Sequence, residues 1–343
     1  MLAIGLDVHQ KQTVVATLDT ESGELSHRKV VTDRLVAHVA ALPEPKCAGL
    51  ETGAQSLFLA RKLMSSGVEV MVLDAFKTHR RAEGMHTAKT DALDATALAR
   101  MVAEGGGDAV VWVIGEPLDE LRTLSRTHRH HVQAGTKLRN QIRAFLRHEG
   151  QTCPFSNLVG KKAGLWLDEF EAPLGRGKRV AFQALRRSLS ANVAEIRELQ
   201  AMMRELAEDH ETVRQLRTVC GCGLVLAVAL AAEIGDIRRF PAPKNLRGYS
   251  GLVPRISQSG DHTRVGPLVR KGNPYLRHAL ILAAQHVAQS KQLLGTRLRR
   301  FYSRQLARHG ANPAKVALGR KLCDMIFAML RDGTNFDLQR LAA

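Results

Sequence analysis

Two aspartates three residues apart stand at the start of a stretch that favours a helix. Asp91 and Asp94 follow Thr90, and residues 95–100 are mostly good helix formers, so both carboxylates fall on one helical face. Adjacent carboxylates repel each other unless a cation or a helix N-terminus lies near them. The pair therefore has two interpretations. Either Thr90 or Asp91 caps the helix, or the two carboxylates help to bind a metal ion.

Two further acids lie where predicted strands end. An apolar strand at 2–7 ends at Asp7, and a short buried strand at 46–51 ends at Glu51. The other elements predicted here are strands at 13–18, up to Val31 and at 68–73, helices at 33–42 and 56–65, and a basic loop at 77–81. This order matches an RNase H-like α/β sheet.

Such a sheet would bring Asp7, Glu51, Asp91 and Asp94 to one edge. Carboxylate oxygens are the ligands that Mg²⁺ prefers, and two such ions organise phosphodiester chemistry in many enzymes. We therefore predict that these four acids bind Mg²⁺. Asp74 also ends a strand, but we expect it to have a structural role.

The charge balance points to a polyanionic partner. The 343 residues include 50 Lys and Arg against 33 Asp and Glu, which gives a net charge of +17 and a pI near 10.2. Nucleic acid is the usual partner of such a protein. No apolar run has spanning length, no signal-peptide pattern opens the chain, and the five cysteines form no zinc-type array. We expect a reduced, cytoplasmic protein with no membrane partner.

A basic helix is predicted after residue 116. Leucines at 118, 121, 124, 138 and 146 lie on one stripe with Ile142 and Phe145, and only Glu149 opposes the cations of residues 121–150. We predict that this helix follows a phosphate backbone; a solvated helical face is the alternative. The predicted phosphate contacts are Arg122, Arg126, Arg129, Lys137, Arg139, Arg143 and Arg147.

The next segments predict an arm of long helices. Residues 150–178 have the composition of a connector, and residues 182–213 place apolar side chains at heptad positions, with Asn192 and His210 as polar exceptions. Such heptads are typical of a coiled coil or of a long helical hairpin, and we expect a spacer or dimerisation arm in which Asn192 fixes the register. Beyond it, residues 224–234 predict an apolar helix and residues 315–331 a packing helix.

A second set of residues that could do chemistry lies between 249 and 277. Ser259 stands beside Gly260 in a loop-rich segment with several cations, and a serine there could be a nucleophile whose target phosphate is held by arginines. An ordinary Ser-Gly turn is the alternative. The cations are Arg255, Arg264, Arg270, Lys271 and Arg277.

Taken together, these motifs resemble one family. The first set of motifs consists of Gly5–His9, Leu50–Gly53 and Lys89–Ala95. The second set consists of Gly251–Arg255, Ser259–Gly260, Arg270–Asn273 and Leu276–Arg277. They are similar to the DEDD-type transposases of bacterial insertion sequences, the IS110 family with its IS1111 branch. The similarity runs from about residue 2 to about residue 290.

The resemblance implies a fold, a mechanism and partners. The implied fold is α/β plus all-α, with a RuvC-like RNase H-fold domain at 1–115, a helical coiled-coil arm at 116–215, a small, mostly helical transposase domain at 216–310 and a C-terminal helix at 311–343. Asp7, Glu51, Asp91 and Asp94 would be the DEDD metal ligands. Ser259, with Ser257 as its competitor, would join covalently to DNA. Asp261 replaces the commoner glycine after Ser259–Gly260.

The implied partners are the DNA of the element and its target, and an element-encoded bridge RNA for which residues 121–147 are a suitable site. A homo-oligomer, dimer or tetramer, in the nucleoid of a bacterium is also implied. Two other functions stay open: a RuvC-like junction-resolving nuclease that uses metal-activated water, and a nucleic-acid-binding protein without catalysis.

Overall fold

The computed structural model describes residues 1–82, 90–259, 262–269 and 271–337. The chain divides into two units, Met1–Gly115 and Glu116–Ala343.

The first unit is built on a mixed sheet. Within the described residues its six strands lie in the order β3-β2-β1-β4-β5-β6. The first three form an antiparallel meander, β4 and β5 run parallel to β1, and β6 is antiparallel to β5. The strands are β1 (Leu2–Val8), β2 (Gln12–Asp19), β3 (Leu25–Val31), β4 (Lys46–Glu51), β5 (Glu69–Leu73) and β6 (Val110–Val111).

Helices cover both faces of this sheet because alternate residues of each strand point to opposite sides. On one face Ile4, Leu6 and Leu50 pack in a core with α1 (Leu35–Ala40) and α2 (Ser56–Ser65). On the other face small residues such as Ala3 and Ala16 lie under α4 (Asp91–Ala103). The predicted mixed α/β character of the N-terminal domain is confirmed.

Two glycines let α4 lie unusually close to the sheet. Gly5 and Gly49 are register partners in the parallel strands β1 and β4. A Cβ atom at position 5 would lie 1.9 Å from the carbonyl oxygen of Ala95 and 2.5 Å from the backbone nitrogen of Ala99. A Cβ atom at position 49 would lie 2.3 Å from Cγ2 of Val102. The backbone of α4 therefore touches the sheet where any larger residue would push it away.

Two features of the first unit differ from the sequence expectation. The segment predicted as a basic loop at 77–81 belongs to a helix, α3 (Ala75–Ala82), whose start is capped by the Asp74 carboxylate accepting from the backbone N–H of Lys77 at 3.0 Å. That contact fits the structural role expected for Asp74. The short strand β6 was not predicted, because two residues carry no detectable period.

The second unit is mainly helical. Its helices are α5 (Leu118–His148), α6 (Lys161–Glu171), α7 (Arg176–Leu206), α8 (Glu211–Arg217), α9 (Leu224–Ile234), α10 (Pro243–Ser250), α11 (Pro274–Gln289), α12 (Arg297–His309) and α13 (Ala311–Asp332). A hairpin of β7 (Pro254–Ser259) and β8 (His262–Leu268) lies between α10 and α11. The helices predicted at 224–234 and 315–331 are confirmed by α9 and α13.

The long helices α5 and α7 pack against each other in opposite directions. Asn192 hydrogen-bonds the ring of His131 at 3.1 Å, and Gln200 hydrogen-bonds that of His128 at 3.0 Å, so the chain numbers run in opposite senses along the contact. Near the other end, Phe182 packs against Phe145, with ring centroids 5.0 Å apart. The packing agrees with the inward position expected for Asn192, and the coiled-coil description stays a prediction.

Three expectations for the second unit were wrong. Residues 150–178 are not only a connector, since they contain α6. The long helix does not continue through 213, because α7 ends at Leu206 and α8 begins at Glu211, which leaves His210 outside both. The segment expected to be loop-rich contains the β7–β8 hairpin, where alternation was masked by turn-forming residues. Gly260, Asp261 and Arg270 lie outside the described residues.

Among the described residues, none of the helices combines the length and the hydropathy that a membrane span requires.

The close approach of α4 can be tested at Gly5. We expect Gly5→Ala to lower the free energy of unfolding by about 1–3 kcal/mol, because the added methyl group overlaps the backbone of α4. Urea unfolding of the full-length protein measures the change. Gly53→Ala is the matched control, since a Cβ atom there meets nothing within 4 Å. Equal losses in the two variants would contradict the packing argument.

Candidate active site

The N-terminus of α4 presents two carboxylates to solvent. Thr90 has an extended backbone, and its hydroxyl accepts a hydrogen bond from the backbone N–H of Leu93 at 3.3 Å, so Thr90 is the helix cap. Asp91 and Asp94 both lie in the first helical turn. The capping interpretation is therefore confirmed for Thr90, and it leaves the two carboxylates available for another role.

The sheet brings Asp7 and Glu51 to the same edge. Leu6 and Leu50 are register partners of parallel strands, so the residues that follow them, Asp7 and Glu51, are neighbours. Each acid comes two residues after one of the glycines on which α4 rests, and residues two apart share a face of the sheet. The strands therefore carry these carboxylates to the side on which α4 begins.

The four carboxylates influence one another electrostatically. Partial burial raises the pKa of Asp7 most; the charge of His9 opposes the rise, and the charges of Asp91 and Asp94 add to it. Partial burial likewise raises the pKa of Glu51 most, a hydrogen bond from Thr78 opposes the rise, and the charges of Asp94 and Asp7 add to it. All four acids predicted from the sequence thus belong to one group of mutually repelling charges.

His9 is a member of this cluster that the sequence analysis did not single out. Its Nε2 atom lies 3.1 Å from Oδ2 of Asp7 and 3.7 Å from Oδ2 of Asp91. One ligand atom from each of Asp7, His9 and Asp91 falls within 4.8 Å of the others. The two-residue spacing from Asp7, at the end of a strand, is the signal that could have indicated it.

Thr78 is a second residue that the analysis missed. It is only 3% exposed, and its hydroxyl donates to Oε1 of Glu51. Helix α3 positions it, and because that segment was expected to be a loop, no contact with the site could be foreseen. The bond fixes the orientation of the Glu51 carboxylate at the sheet edge.

This arrangement fits a divalent cation. Carboxylate oxygens of Asp7 and Asp91 converge with the His9 imidazole, with one ligand atom of each within 4.8 Å of the others. Burial raises the pKa values of Asp7 and Glu51 most, and repulsion from the neighbouring carboxylates adds to the rise. A bound cation would remove that repulsion, and carboxylate-rich sites suit Mg²⁺ and Mn²⁺.

In the second unit, Ser259 is the last residue of β7 and pairs with His262 of β8. Ser257 pairs with Arg264 in the same hairpin. Both serines therefore belong to the end of the hairpin that is remote from α10 and α11, and residues 260–261, between the two strands, lie outside the described residues. The choice between Ser259 and Ser257 stays a prediction.

The other end of the hairpin, which we call the hairpin root, is held by two residues of the second motif. Arg277 donates to the carbonyl oxygens of Ser250 at 3.1 Å, Val269 at 2.9 Å and Lys271 at 3.1 Å. Asn273 caps α11 through its side-chain oxygen, and its backbone N–H donates to the carbonyl of Tyr249 at 2.7 Å. The motif thus fixes both strands of the hairpin at their start and end.

A buried carboxylate links the hairpin root to α5. Glu233 of α9 is 1% exposed and accepts from Nε and Nη2 of Arg126, at 2.7 and 2.9 Å, and from Nδ2 of Asn273 at 2.7 Å. Arg122 donates to the carbonyl of Ala232 at 3.2 Å. A buried ion pair with saturated hydrogen bonds costs several kcal/mol to break from one side.

The remaining residues predicted to contact phosphate fall into two groups: some are hydrogen-bonded to backbone carbonyls, and the others are exposed or partly exposed. Arg129 donates to the carbonyl of Pro274 at 3.2 Å, and Arg143 to that of Ser156 at 2.9 Å. Arg139 is partly exposed, whereas Lys137, Arg147, Arg255, Arg264 and Lys271 are exposed; Arg270 is not among the described residues. Nucleic-acid binding by these residues stays a prediction, and the inward contacts of Arg122 and Arg126 give those two a structural task as well.

Comparison with protein families assigns both parts of this architecture. A model of DEDD transposases of the IS110 type, described as "Transposase", matches residues 4–149, and one described as "Transposase IS116/IS110/IS902 family" matches residues 213–302. The first match contains Asp7, Glu51, Asp91 and Asp94; the second contains Ser259 and Asn273. The chain belongs to the IS110 family of DEDD transposases.

Transposases similar to this chain match almost its whole length. The transposase for insertion sequence element IS1328 of Yersinia enterocolitica is 24% identical over 97% of this chain and 98% of its own length. A probable family 20 transposase of Pseudomonas aeruginosa is 27% identical over 95% and 96%. The IS1111A transposase of Coxiella burnetii is 23% identical over 95% and 89%. The predicted family is confirmed, and with it DNA as a partner and a divalent metal as the expected cofactor.

The cluster of acids in this IS110-family transposase gives the metal-free protein a defined pH dependence. Because the pKa values of Asp7 and Glu51 are raised on folding, the unfolded chain releases their protons more readily, and ionisation favours unfolding. The free energy of unfolding should therefore fall as pH rises from their ordinary values of 3.8 and 4.5 through the raised ones.

In the variant Asp7→Asn, the free energy of unfolding should fall less as pH rises than it does in the wild type. Urea unfolding in the presence of a chelator, between about pH 4 and pH 7, measures the difference. Asp19→Asn is the control of opposite sign, since a hydrogen bond from the backbone N–H of Glu21 lowers the pKa of Asp19. A wild-type slope in the Asp7 variant would show that the pKa of Asp7 is not raised on folding.

The buried pair can be tested separately. Arg126→Met removes the guanidinium that hydrogen-bonds the buried Glu233 and leaves only that of Arg122, whose Nε lies 3.8 Å from Oε2 of Glu233. We therefore expect a loss of about 3–5 kcal/mol in the free energy of unfolding. Arg147→Met, at an exposed position near the end of the same helix, should change it by less than about 0.5 kcal/mol. Urea unfolding compares the two. A small loss in the first variant would show that the pair contributes little.

Proposed function

We propose that this transposase excises and inserts an insertion-sequence element by cleaving and exchanging DNA strands through a covalent phosphoserine intermediate. In this proposal Asp7, Glu51, Asp91 and Asp94 hold Mg²⁺, and Ser259 is the nucleophile. The observation that carries it is the convergence of four acids, distant in sequence, at one end of α4 and one sheet edge. Mutual repulsion of this kind is costly unless a cation compensates it.

The first unit supports the assignment of an RNase H-like, RuvC-like domain. A meander followed by parallel strands, in the order β3-β2-β1-β4-β5, is the arrangement expected for that fold. Its acids lie at the strand ends and at a helix start, as the DEDD pattern requires. The tightly packed strands and α4 give the carboxylates a rigid support.

The chain's own residues prepare the site. When bound, the metal would orient the scissile phosphate and stabilise the charge that develops on it in the transition state. Thr78 holds the Glu51 carboxylate in one orientation through its hydroxyl. His9 contacts Asp7 and Asp91, so it limits their movement and offers one further donor.

The covalent step conserves the energy of the phosphodiester bond. The Ser259 oxygen forms a bond to phosphorus while the bond from phosphorus to the departing deoxyribose oxygen breaks. The hydroxyl proton passes to a base, and the departing oxygen takes up a proton. Reversal with a different deoxyribose hydroxyl frees the serine and joins the new strands.

The hairpin root suits this task because it is rigid. Arg277 and Asn273 fix both strands through backbone contacts, and so the serine at the far end is carried on a hairpin with a defined origin. Catalytic groups held by such supported elements keep their geometry better than groups on free loops.

The partners in the proposal follow from charge. The exposed and partly exposed cations of α5, namely Lys137, Arg139 and Arg147, suit a phosphate backbone, and a bridge RNA that pairs with donor and target DNA is proposed to bind there. The helices α5 and α7 are proposed to form the coiled-coil arm that joins subunits of a dimer or tetramer in the bacterial nucleoid.

Two other functions make different predictions. In a junction-resolving nuclease that uses metal-activated water, cleavage needs the acids but not the serine. In a binding protein without catalysis, neither set of residues affects anything but affinity. The presence of two motifs, each within a transposase family match, favours strand exchange over both.

The nucleophile is tested by trapping. The protein is incubated with DNA of an element end, target DNA, the adjacent noncoding RNA and Mg²⁺, then denatured and examined for protein joined to DNA. Ser259→Ala should reduce the adduct at least about a thousand-fold, whereas Ser257→Ala should retain it. Mass spectrometry of the digested adduct locates the modified serine.

The matched metal-site variant is Asp91→Asn, which should lose the adduct while retaining DNA binding. Cleavage that persists without an adduct in Ser259→Ala would support the junction nuclease instead. Wild-type binding with neither cleavage nor adduct would support the protein without catalysis.

A further inference from the structure

The C-terminal part of the chain contains a long segment with one sign of charge. Residues 262–323 include 13 Lys and Arg but no Asp or Glu. The part of this segment beyond residue 290 lies outside the phosphate contacts considered above. A basic stretch this long needs either acids from other elements or an anionic partner.

Exposed arginines form one stripe along α12. Arg297, Arg300, Arg304 and Arg308 are all exposed, and their spacing of three, four and four residues puts them on one helical face. Since a helix rises 1.5 Å per residue, the stripe is about 16 Å long. A helix of this composition presents a row of cations rather than alternating charges.

The helix packed against this one does not neutralise the stripe. The acids of α13 are Asp324 and Asp332, and each is paired elsewhere, Asp324 with Arg247 at 3.1 Å and Asp332 with Arg331 at 2.7 Å. Among the ion pairs of the described residues, none involves Arg300, Arg304 or Arg308. The positive charge of these three arginines is therefore uncompensated within the part of the unit that the structure describes.

A cleft at the start of α12 adds to the stripe. It has a volume of about 830 Å³ and is lined by Arg297, Arg299, Arg300 and Arg304 together with Lys321 of α13. The Nζ atom of Lys321 lies 5.3 Å from the centroid of the Phe301 ring, which orders this cation beside the arginines. The cleft therefore concentrates positive charge in a concave surface.

The aromatic rings of α12 are not free to stack on bases. Phe301 is contacted by Lys321, and the guanidinium carbon of Arg299 lies 5.7 Å from the centroid of the Tyr302 ring. Both rings are partly buried. Recognition of unpaired bases depends on exposed aromatic side chains, so this surface suits the backbone of a duplex.

We propose that α12 and the adjoining face of α13 form a DNA-binding surface that contacts the phosphates of duplex DNA. It rests on the proposed function only in taking DNA as the substrate. One strand of B-DNA places a phosphate about every 3.4 Å along the axis, so the stripe covers about five steps. Arg300, Arg304 and Arg308 each neutralise one phosphate on this surface.

The salt dependence of binding tests the proposal. Each phosphate neutralised adds about 0.9 to the magnitude of the slope of log affinity against log salt. We expect the full-length variant Arg300→Gln/Arg304→Gln/Arg308→Gln to have a slope smaller in magnitude by about 2.7 on a short labelled DNA duplex. Chelator is present, so that binding is measured without cleavage.

The matched control removes the same charge from another helix. Arg187→Gln/Arg197→Gln/Arg204→Gln alters three exposed arginines of α7 and should leave the slope within about 0.5 of the wild type. Thermal unfolding checks that both variants are folded. If one variant fails to fold, the single substitution Arg304→Gln, with an expected change of about 0.9, takes its place.

Equal slopes in wild type and variant, or the same loss in the control, would overturn the proposal. A larger change on an RNA duplex of the same sequence would overturn it in favour of an RNA surface, and a change seen only with anionic lipid vesicles would overturn it in favour of a membrane. Because no cleavage is needed, the result stands apart from the serine trapping experiment.

Discussion

The contact of α4 with the sheet is the constraint on which the acidic site depends. Two register partners lack side chains, and α4 occupies the space that those side chains would fill, with its backbone at Gly5 and with the Val102 side chain at Gly49. The two strand acids come two residues further along the same strands, and the helix begins with the other two. Shape therefore brings four like charges together, against their electrostatic preference. The free energy of that repulsion has to come from packing, and a cation recovers it.

The second unit reaches rigidity by a different route. Glu233 joins a helix of the arm, the helix α9 and the root of the hairpin through charged hydrogen bonds, and Arg277 binds three backbone carbonyls around the same root. Residues expected to touch phosphate thus also hold the scaffold. A substitution at Arg126 could lower activity through stability alone, and unfolding measurements are needed beside any binding measurement.

Much of the fold follows from the sequence where patterns are regular. The strand ending at Glu51 and the helix at 56–65 were predicted with the observed bounds, since apolar period and turn residues agree. The helix α3 was missed because Lys77, His79 and Arg80 give it no apolar stripe long enough to detect, and the break near His210 was missed because the heptad spacing continues across it.

The DEDD acids were found, but His9 and Thr78 were not, because their contacts depend on tertiary packing. The ion pair of Arg126 with Glu233 joins residues more than a hundred positions apart, which no local pattern reveals.

The contacts at the hairpin root also determine which changes of length the hairpin tolerates. The chain is fixed between α10 and β7 and again between β8 and α11. Residues can therefore be added to or removed from the far end of the hairpin without disturbing these helices. Closing a slightly longer loop costs little conformational entropy. Adding or removing one residue in each strand preserves the pairing of the strands, but it moves every later side chain to the opposite face of the hairpin. Adding or removing two residues in each strand keeps every later side chain on its original face. Related elements can therefore diverge in the reach of this hairpin while keeping a common core.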